Sequence, residues 1–120
     1  MGLHRGGRIG GAAAFLGTTL GFKPILEVRS GHIEAIERVR TITKALDRLL
    51  DILEQRVDGQ PVHLSGLHVA SLDQAQLLLE KAIQRFGADR VKEREMVELS
   101  PVIGTHTGPG TVGMAWMLES

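Results

Sequence analysis

The sequence predicts an α/β chain of the α+β kind, a two-layer sandwich in which helices pack on one face of a mixed, mostly antiparallel sheet of about five strands. Two stretches each carry a single apolar stripe at helical spacing, Leu46, Leu49, Leu50, Leu53 and Val57 in one and Ala75, Leu78, Leu79, Ala82, Ile83 and Phe86 in the other. Shorter apolar runs bounded by Gly, Pro, Asp and Ser read as strands. The predicted order is helix, hairpin, helix, strand, helix, strand, loop, strand, and each long helix has one stripe to bury. At 120 residues the chain fits one domain, 1–120, with one core.

In chain order, Gly2, Gly6, Gly7, Gly10 and Gly11 surround His4, Arg5 and Arg8, after which residues 12–20 read as a short apolar helix. The glycine-rich stretch reads either as a frayed terminus or as a set of backbone donors at that helix's positive end, with Arg8 beside them. Because no predicted strand precedes it, residues 6–11 match a dinucleotide fingerprint poorly. Lys23-Pro24 ends the helix. Residues 25–29 and 32–39 form a hairpin turning at Ser30-Gly31. Thr41 or Thr43 caps the first long helix, whose Asp47, Arg48, Asp51 and Arg56 read as a solvated face. Asp58-Gly59-Gln60-Pro61 is a turn, and residues 62–69 are a strand with a bulge expected at Ser65-Gly66, where the apolar phase slips. His63 and His68 lie on that strand, where a lone histidine is more often packed than a ligand. Ser71 with Gln74 has the form of a capping box, opening a helix that Gly87 closes. Residues 91–99 and 111–118 are the last strands.

Composition excludes several classes of function. Lys plus Arg equals Asp plus Glu at 14 each, so no overall charge draws the chain to nucleic acid or an anionic membrane, and anion recognition must be local. With no cysteine there is no disulfide and no thiolate metal site, and the five scattered histidines lack ligand spacing; neither metal nor cofactor is expected. The sequence holds no apolar run of ~18 residues for a membrane span and no secretory signal, so the expected location is cytoplasmic. Three Phe, one Trp and no Tyr argue against a base-stacking surface.

The densest cluster of unusual residues is Ser100-Pro101-Val102-Ile103-Gly104-Thr105-His106-Thr107-Gly108-Pro109-Gly110. Its glycines and prolines make poor helix or strand and good loop, able to approach a ligand closely. His106 stands between two Thr hydroxyls among free backbone N–H groups, which suits an anionic oxygen. The alternative is a plain connection between strands with the imidazole in water.

The stretches Gly6-Gly7-Arg8-Ile9-Gly10, Ala12-Ala13-Ala14-Phe15-Leu16-Gly17, Lys23-Pro24-Ile25-Leu26 and Ser100 to Gly110 together resemble the C-terminal half of DegV-family proteins, bacterial fatty-acid-binding proteins, some of which present the acid to a fatty acid kinase. The resemblance runs from about Leu3 to Trp116. It implies a long-chain fatty acid as ligand, with Arg8 and His106 near its carboxylate and Ile9, Ala12, Phe15 and Leu16 lining the acyl chain, the helix after Arg8 forming part of the tunnel. It also implies that a separate N-terminal domain carrying further carboxylate contacts is absent here, so that an apolar patch around Ile9, Phe15 and Leu16 is open to self-association. Such a carrier needs no catalytic base, since the kinase supplies the chemistry. Two other readings are an enzyme using His106 as general base with Arg8 on a substrate phosphate, for which no partner carboxylate or nucleophile is placed by sequence, and a non-binding structural fragment.

Overall fold

A computed structural model describes residues 12–16, 23–30, 32–99 and 110–119. Eight elements follow in order: β1 (Ala12–Leu16), β2 (Lys23–Arg29), β3 (His32–Val39), α1 (Ile42–Val57), β4 (Val62–His68), α2 (Leu72–Phe86), β5 (Val91–Glu98) and β6 (Val112–Leu118). The strands make one six-stranded sheet in the order β3-β2-β1-β6-β4-β5. Only β4 and β5 pair in parallel; every other neighbouring pair is antiparallel. The expected sandwich is therefore present, with one strand more than the sequence suggested.

That extra strand is β1, where a helix was expected to begin. Ala12-Ala13-Ala14-Phe15-Leu16 has no polar position, and a short unbroken apolar run fits a buried strand as well as a helix. Tertiary pairing decides the matter: β1 is hydrogen-bonded on both sides, Phe15 opposite Leu26 of β2 and Gly113 of β6. Burial between two neighbours overrides alanine's weak strand preference. The amino-terminal glycines consequently lead into a strand, which has no helix macrodipole to offer an anion.

Both long helices form as their stripes predict. In α1, Leu46, Leu49, Leu50, Leu53 and Val57 are buried, and Thr41 caps the first turn by accepting from the Lys44 N–H at 3.2 Å. In α2, Ala75, Leu78, Ala82 and Phe86 are buried while Leu79 and Ile83 pack half-buried against the core. The sheet supplies Ala14, Ile25, Val62, Leu64, Val91, Val112, Met114 and Trp116 to the same core. Gly87, at φ +96°, closes α2 with its N–H on the Ile83 carbonyl.

The expected solvated face of α1 is instead cross-linked. Arg56 donates to both carboxylate oxygens of Glu27 on β2, at 2.9 and 3.1 Å, and Glu27 is only 6% exposed. Arg29 adds a third bond to Glu27 at 3.1 Å. Arg48 reaches Glu37 of β3 at 2.9 Å, while Asp47 and Asp51 pair with Lys81 and Arg85 of α2. The charges thus fix α1 to the sheet on one side and to α2 on the other.

The bulge expected at Ser65-Gly66 does not occur there. Pairing runs unbroken through both residues, and the shift in register lies between Val62 and His63. Gly66 is small because of what packs on it: a Cβ would stand 2.9 Å from Met96 Cε and 3.6 Å from the Ala75 carbonyl oxygen of α2.

Two outcomes test this packing. Gly66→Ala should stay within about 1 kcal/mol of the parent in urea unfolding, since the tip of Met96 can turn aside, whereas Gly66→Val should lose about 2–3 kcal/mol by overpacking against the α2 backbone. The second concerns acid. The Arg56 hydrogen bond, outweighing desolvation and aided by the Arg56 and Arg29 charges, holds the Glu27 carboxyl below its ordinary 4.5. A depressed carboxylate contributes stability that is complete above its unfolded value and lost as pH falls through the folded one. Unfolding midpoints followed from about pH 6 down to about pH 3 should therefore fall less steeply for Glu27→Gln than for the parent below about pH 4.5.

Candidate functional site

The strand directions sort the connections between the two ends of the sheet. Since β6 is antiparallel to both β1 and β4, and β5 is parallel to β4, the strands β1, β4 and β5 all point to one end, where β6 begins. That end receives the start of α2, the chain leaving Leu16, and both stems of the 100–109 connection.

Main-chain bonds fix those stems. The Leu99 N–H donates to the His68 carbonyl at 2.8 Å, the Gly110 N–H to the Val69 carbonyl at 2.8 Å, and the Val69 N–H to the Thr111 carbonyl at 2.9 Å. Thr111 is fully buried. The stems of the glycine-rich, histidine-bearing stretch are thus rooted on the last residue of β4, His68, and on Val69 after it. This is the carboxyl end of a parallel strand pair with a helix amino terminus beside it, where α/β sheets characteristically bind ligands and where backbone N–H groups favour anions.

The predicted site residues divide by position. His106, Arg8 and Ile9 lie outside the described residues. Ala12, Phe15 and Leu16 are on the central strand β1, Ala12 opposite Trp116 and Leu16 opposite Val112. Leu16 is therefore level with the root of the 100–109 connection, and Ala12 is at the far end of the same strand.

His63 and His68 separate along β4. His63, paired with Met117 and Glu93 near the start of the strand, has Nδ1 3.5 Å from Glu93 and Nε2 3.4 Å from Glu119. His68 is 6% exposed, and its Nδ1 accepts from the Ser71 N–H at 3.0 Å. The Ser71–Gln74 capping box is not formed: Ser71 stands at the N-cap of α2 without a side-chain cap bond, and Gln74 Oε1 is buried without a partner. Sequence spacing pointed to the Ser71 side chain. The bond that organises this turn comes from His68, three residues earlier, and a single histidine in a strand carries no signal for it.

Central strands β4 and β6 are buried on both faces. Leu64, Val112, Met114 and Trp116 face the helices, while Ser65, Leu67 and Ala115 are buried on the other side, where Ser65 donates to Glu95 at 3.1 Å. Among the described residues no helix is long and apolar enough to cross a membrane, and no group of three His, Asp or Glu is placed to hold a metal ion.

A family model described as "Uncharacterised protein, DegV family" matches residues 1–119. The chain belongs to the DegV family. A DegV domain-containing protein of Streptomyces coelicolor is 41% identical over 112 residues, covering 93% of this chain and 39% of the relative. One from Halalkalibacterium halodurans is 36% identical over 118 residues, covering 98% and 41%. The chain thus spans about two fifths of the length of these relatives. Its fold is that of solved DegV structures: a fatty acid binding DegV family protein of Streptococcus agalactiae (TM-score 0.78, 23% identity, 92% of this chain and 45% of that one), and a Thermus thermophilus DegV family protein described by its fatty acid binding (TM-score 0.79, 24% identity, 89% and 45%). A stearic acid-binding protein of Eubacterium ventriosum shares it too (TM-score 0.79, 16% identity, 91% and 45%).

Proposed function

We propose that this DegV chain is the C-terminal, lipid-holding domain of a long-chain fatty acid carrier, with the carboxylate held near Arg8 and His106 and the acyl chain lying along Ile9, Ala12, Phe15 and Leu16. The observation that carries the proposal is the shared fold with proteins described as fatty acid binding. Rooting of the His106 loop at the carboxyl end of the parallel pair, beside the α2 amino terminus, supports an anionic group there. Of the residues proposed to line the acyl chain, Ala12, Phe15 and Leu16 are on strand β1 and not on the helix expected there.

The energetics divide the ligand in two. Each methylene removed from water contributes about 0.8 kcal/mol, so a long tail supplies roughly 10 kcal/mol before ordering costs. A desolvated carboxylate loses several kcal/mol of hydration unless paired, and charge-assisted bonds from Arg8 and His106 return about 1.5–3 kcal/mol each. The tail sets affinity and the head group sets orientation. A carboxylate presented at a fixed point is a substrate for a separate fatty acid kinase, and the carrier itself performs no chemistry.

Calorimetric titration of the chain with palmitic acid and with hexadecanol tests the division. His106→Ala and Arg8→Ala should each weaken the acid by about ten-fold or more and leave the alcohol nearly unchanged, because only a charged head group uses those donors. Phe15→Ala should weaken both ligands alike. Equal losses for acid and alcohol in the His106 variant would remove that residue from the site.

A further inference from the structure

We infer that His68 is a positioning residue: its buried imidazole holds the turn between β4 and α2 to which both stems of the 100–109 connection are bonded. The inference deepens the proposed carboxylate site and rests on that reading only for its effect on the ligand.

Two residues, His68 and Val69, make the described main-chain bonds that root the stems, and they belong to a turn that ends at Ser71. The His68 carbonyl takes the Leu99 N–H, Val69 exchanges bonds with Gly110 and Thr111, and Ser71 is the N-cap of α2. Between them stands Ala70 at φ +50°, a left-handed conformation that a residue with a Cβ adopts only when its surroundings over-determine it. The Ser71 hydroxyl does not cap the helix, so the side-chain bond closing this turn is the one from the Ser71 N–H to His68 Nδ1, at 3.0 Å. That bond spans the strained residue.

A leucine would fill this inward position opposite Val112 without the cost of burying an imidazole. Histidine is needed there for an acceptor aimed at a backbone N–H three residues on. With Nδ1 accepting, the ring proton is on Nε2. The consequence passes along the backbone: if the turn relaxes, Val69 moves, and with Val69 both the Gly110 and Thr111 bonds that set where the loop leaves the sheet.

The test uses the full 120-residue chain as parent, His68→Leu, His68→Asn and Ala70→Gly/His68→Leu. Asparagine keeps an acceptor at about the reach of Nδ1. Amide hydrogen exchange is read at Val69, Leu99 and Gly110 and referenced to Leu50 in the core of α1, which reports global opening. His68→Leu should speed exchange at the three stem amides about ten-fold or more relative to Leu50, as loss of one buried hydrogen bond confined to a local unit does. His68→Asn should stay within about three-fold of the parent, and Ala70→Gly, by removing the strain, should restore part of the protection lost in His68→Leu. In the same proteins, palmitic acid should lose its advantage over hexadecanol in His68→Leu and keep it in His68→Asn. Stem exchange that is unchanged, that rises only together with Leu50, or that asparagine fails to restore overturns the inference. Selective loosening restored by asparagine, in a parent that does not distinguish palmitic acid from hexadecanol, upholds the role of His68 and overturns the carboxylate reading of the loop.

Discussion

The β6 strand holds this structure together, because it is the seam between two units that otherwise share no strand pairing. On one edge it pairs with β1, which carries the β2–β3 hairpin; on the other it pairs with β4, which carries the β4-α2-β5 unit. It is also the last strand in the sequence, so the sheet is completed only when residues 112–118 insert between strands separated from each other by some fifty residues of chain. Such long-range pairing is entropically slow to form, and the burial of Val112, Met114, Ala115 and Trp116 on both faces offsets that cost. Everything near the loop root follows from this insertion, since the connection into β6 must cross the end of β4 to reach its slot.

Helix α1 packs on β1, β2 and β3, on the hairpin side of the β6 seam, and so has to be aligned across three strands at once. Its apolar stripe supplies the attraction, which is not directional, and its charges supply the direction. The two bonds from Arg56 to Glu27 pair planar groups edge to edge and fix the rotation of the helix over β2. Removing Glu27 would leave the half-buried Arg56 unpaired, and removing Arg56 would leave the buried Glu27 carboxylate with Arg29 alone, in either case a larger loss than the pair's net contribution. Arg48 to Glu37 and the pairs to Lys81 and Arg85 are more exposed, and each is worth little singly.

What the sequence made legible follows the physics of each element. The stripes of α1 and α2, the hairpin at Ser30 and the closure of α2 at Gly87 are local signals, and local reasoning found them. The strand β1 was misread because Ala12–Leu16 contains no period, and only its two neighbours, distant in sequence, decide its conformation. The slip of apolar phase at Ser65-Gly66 suggested a bulge, whereas the approach of Met96 and α2 to Gly66 is tertiary. The same holds for Arg56, whose partner is 29 residues away, and for His68, whose partner is a backbone N–H with no sequence signature. Of the candidate site, motif density identified the loop, and the structure adds where its stems are rooted. Its position relative to Arg8 depends on residues outside those described.

The proposed carrier and an enzyme make different demands on this end of the sheet. Acid–base catalysis requires a base whose protonation state is tuned by a neighbouring carboxylate or by burial, held within hydrogen-bond reach of the reacting atom. Holding an anion in place requires only donors and a root that does not move. The described part of the site meets the second requirement by construction: a buried imidazole spent on a backbone N–H, a fully buried Thr111, and stems bonded to the strand that leads into α2. Of the described carboxylates, Glu95 is engaged by Ser65 and Glu27 by two arginines, while Glu98, opposite His68, and Asp73, in the first turn of α2, stand at the loop's end of the sheet. A backbone frame bonded at both stems, with His68 holding the turn beneath it, is the kind of root that the proposed carrier requires.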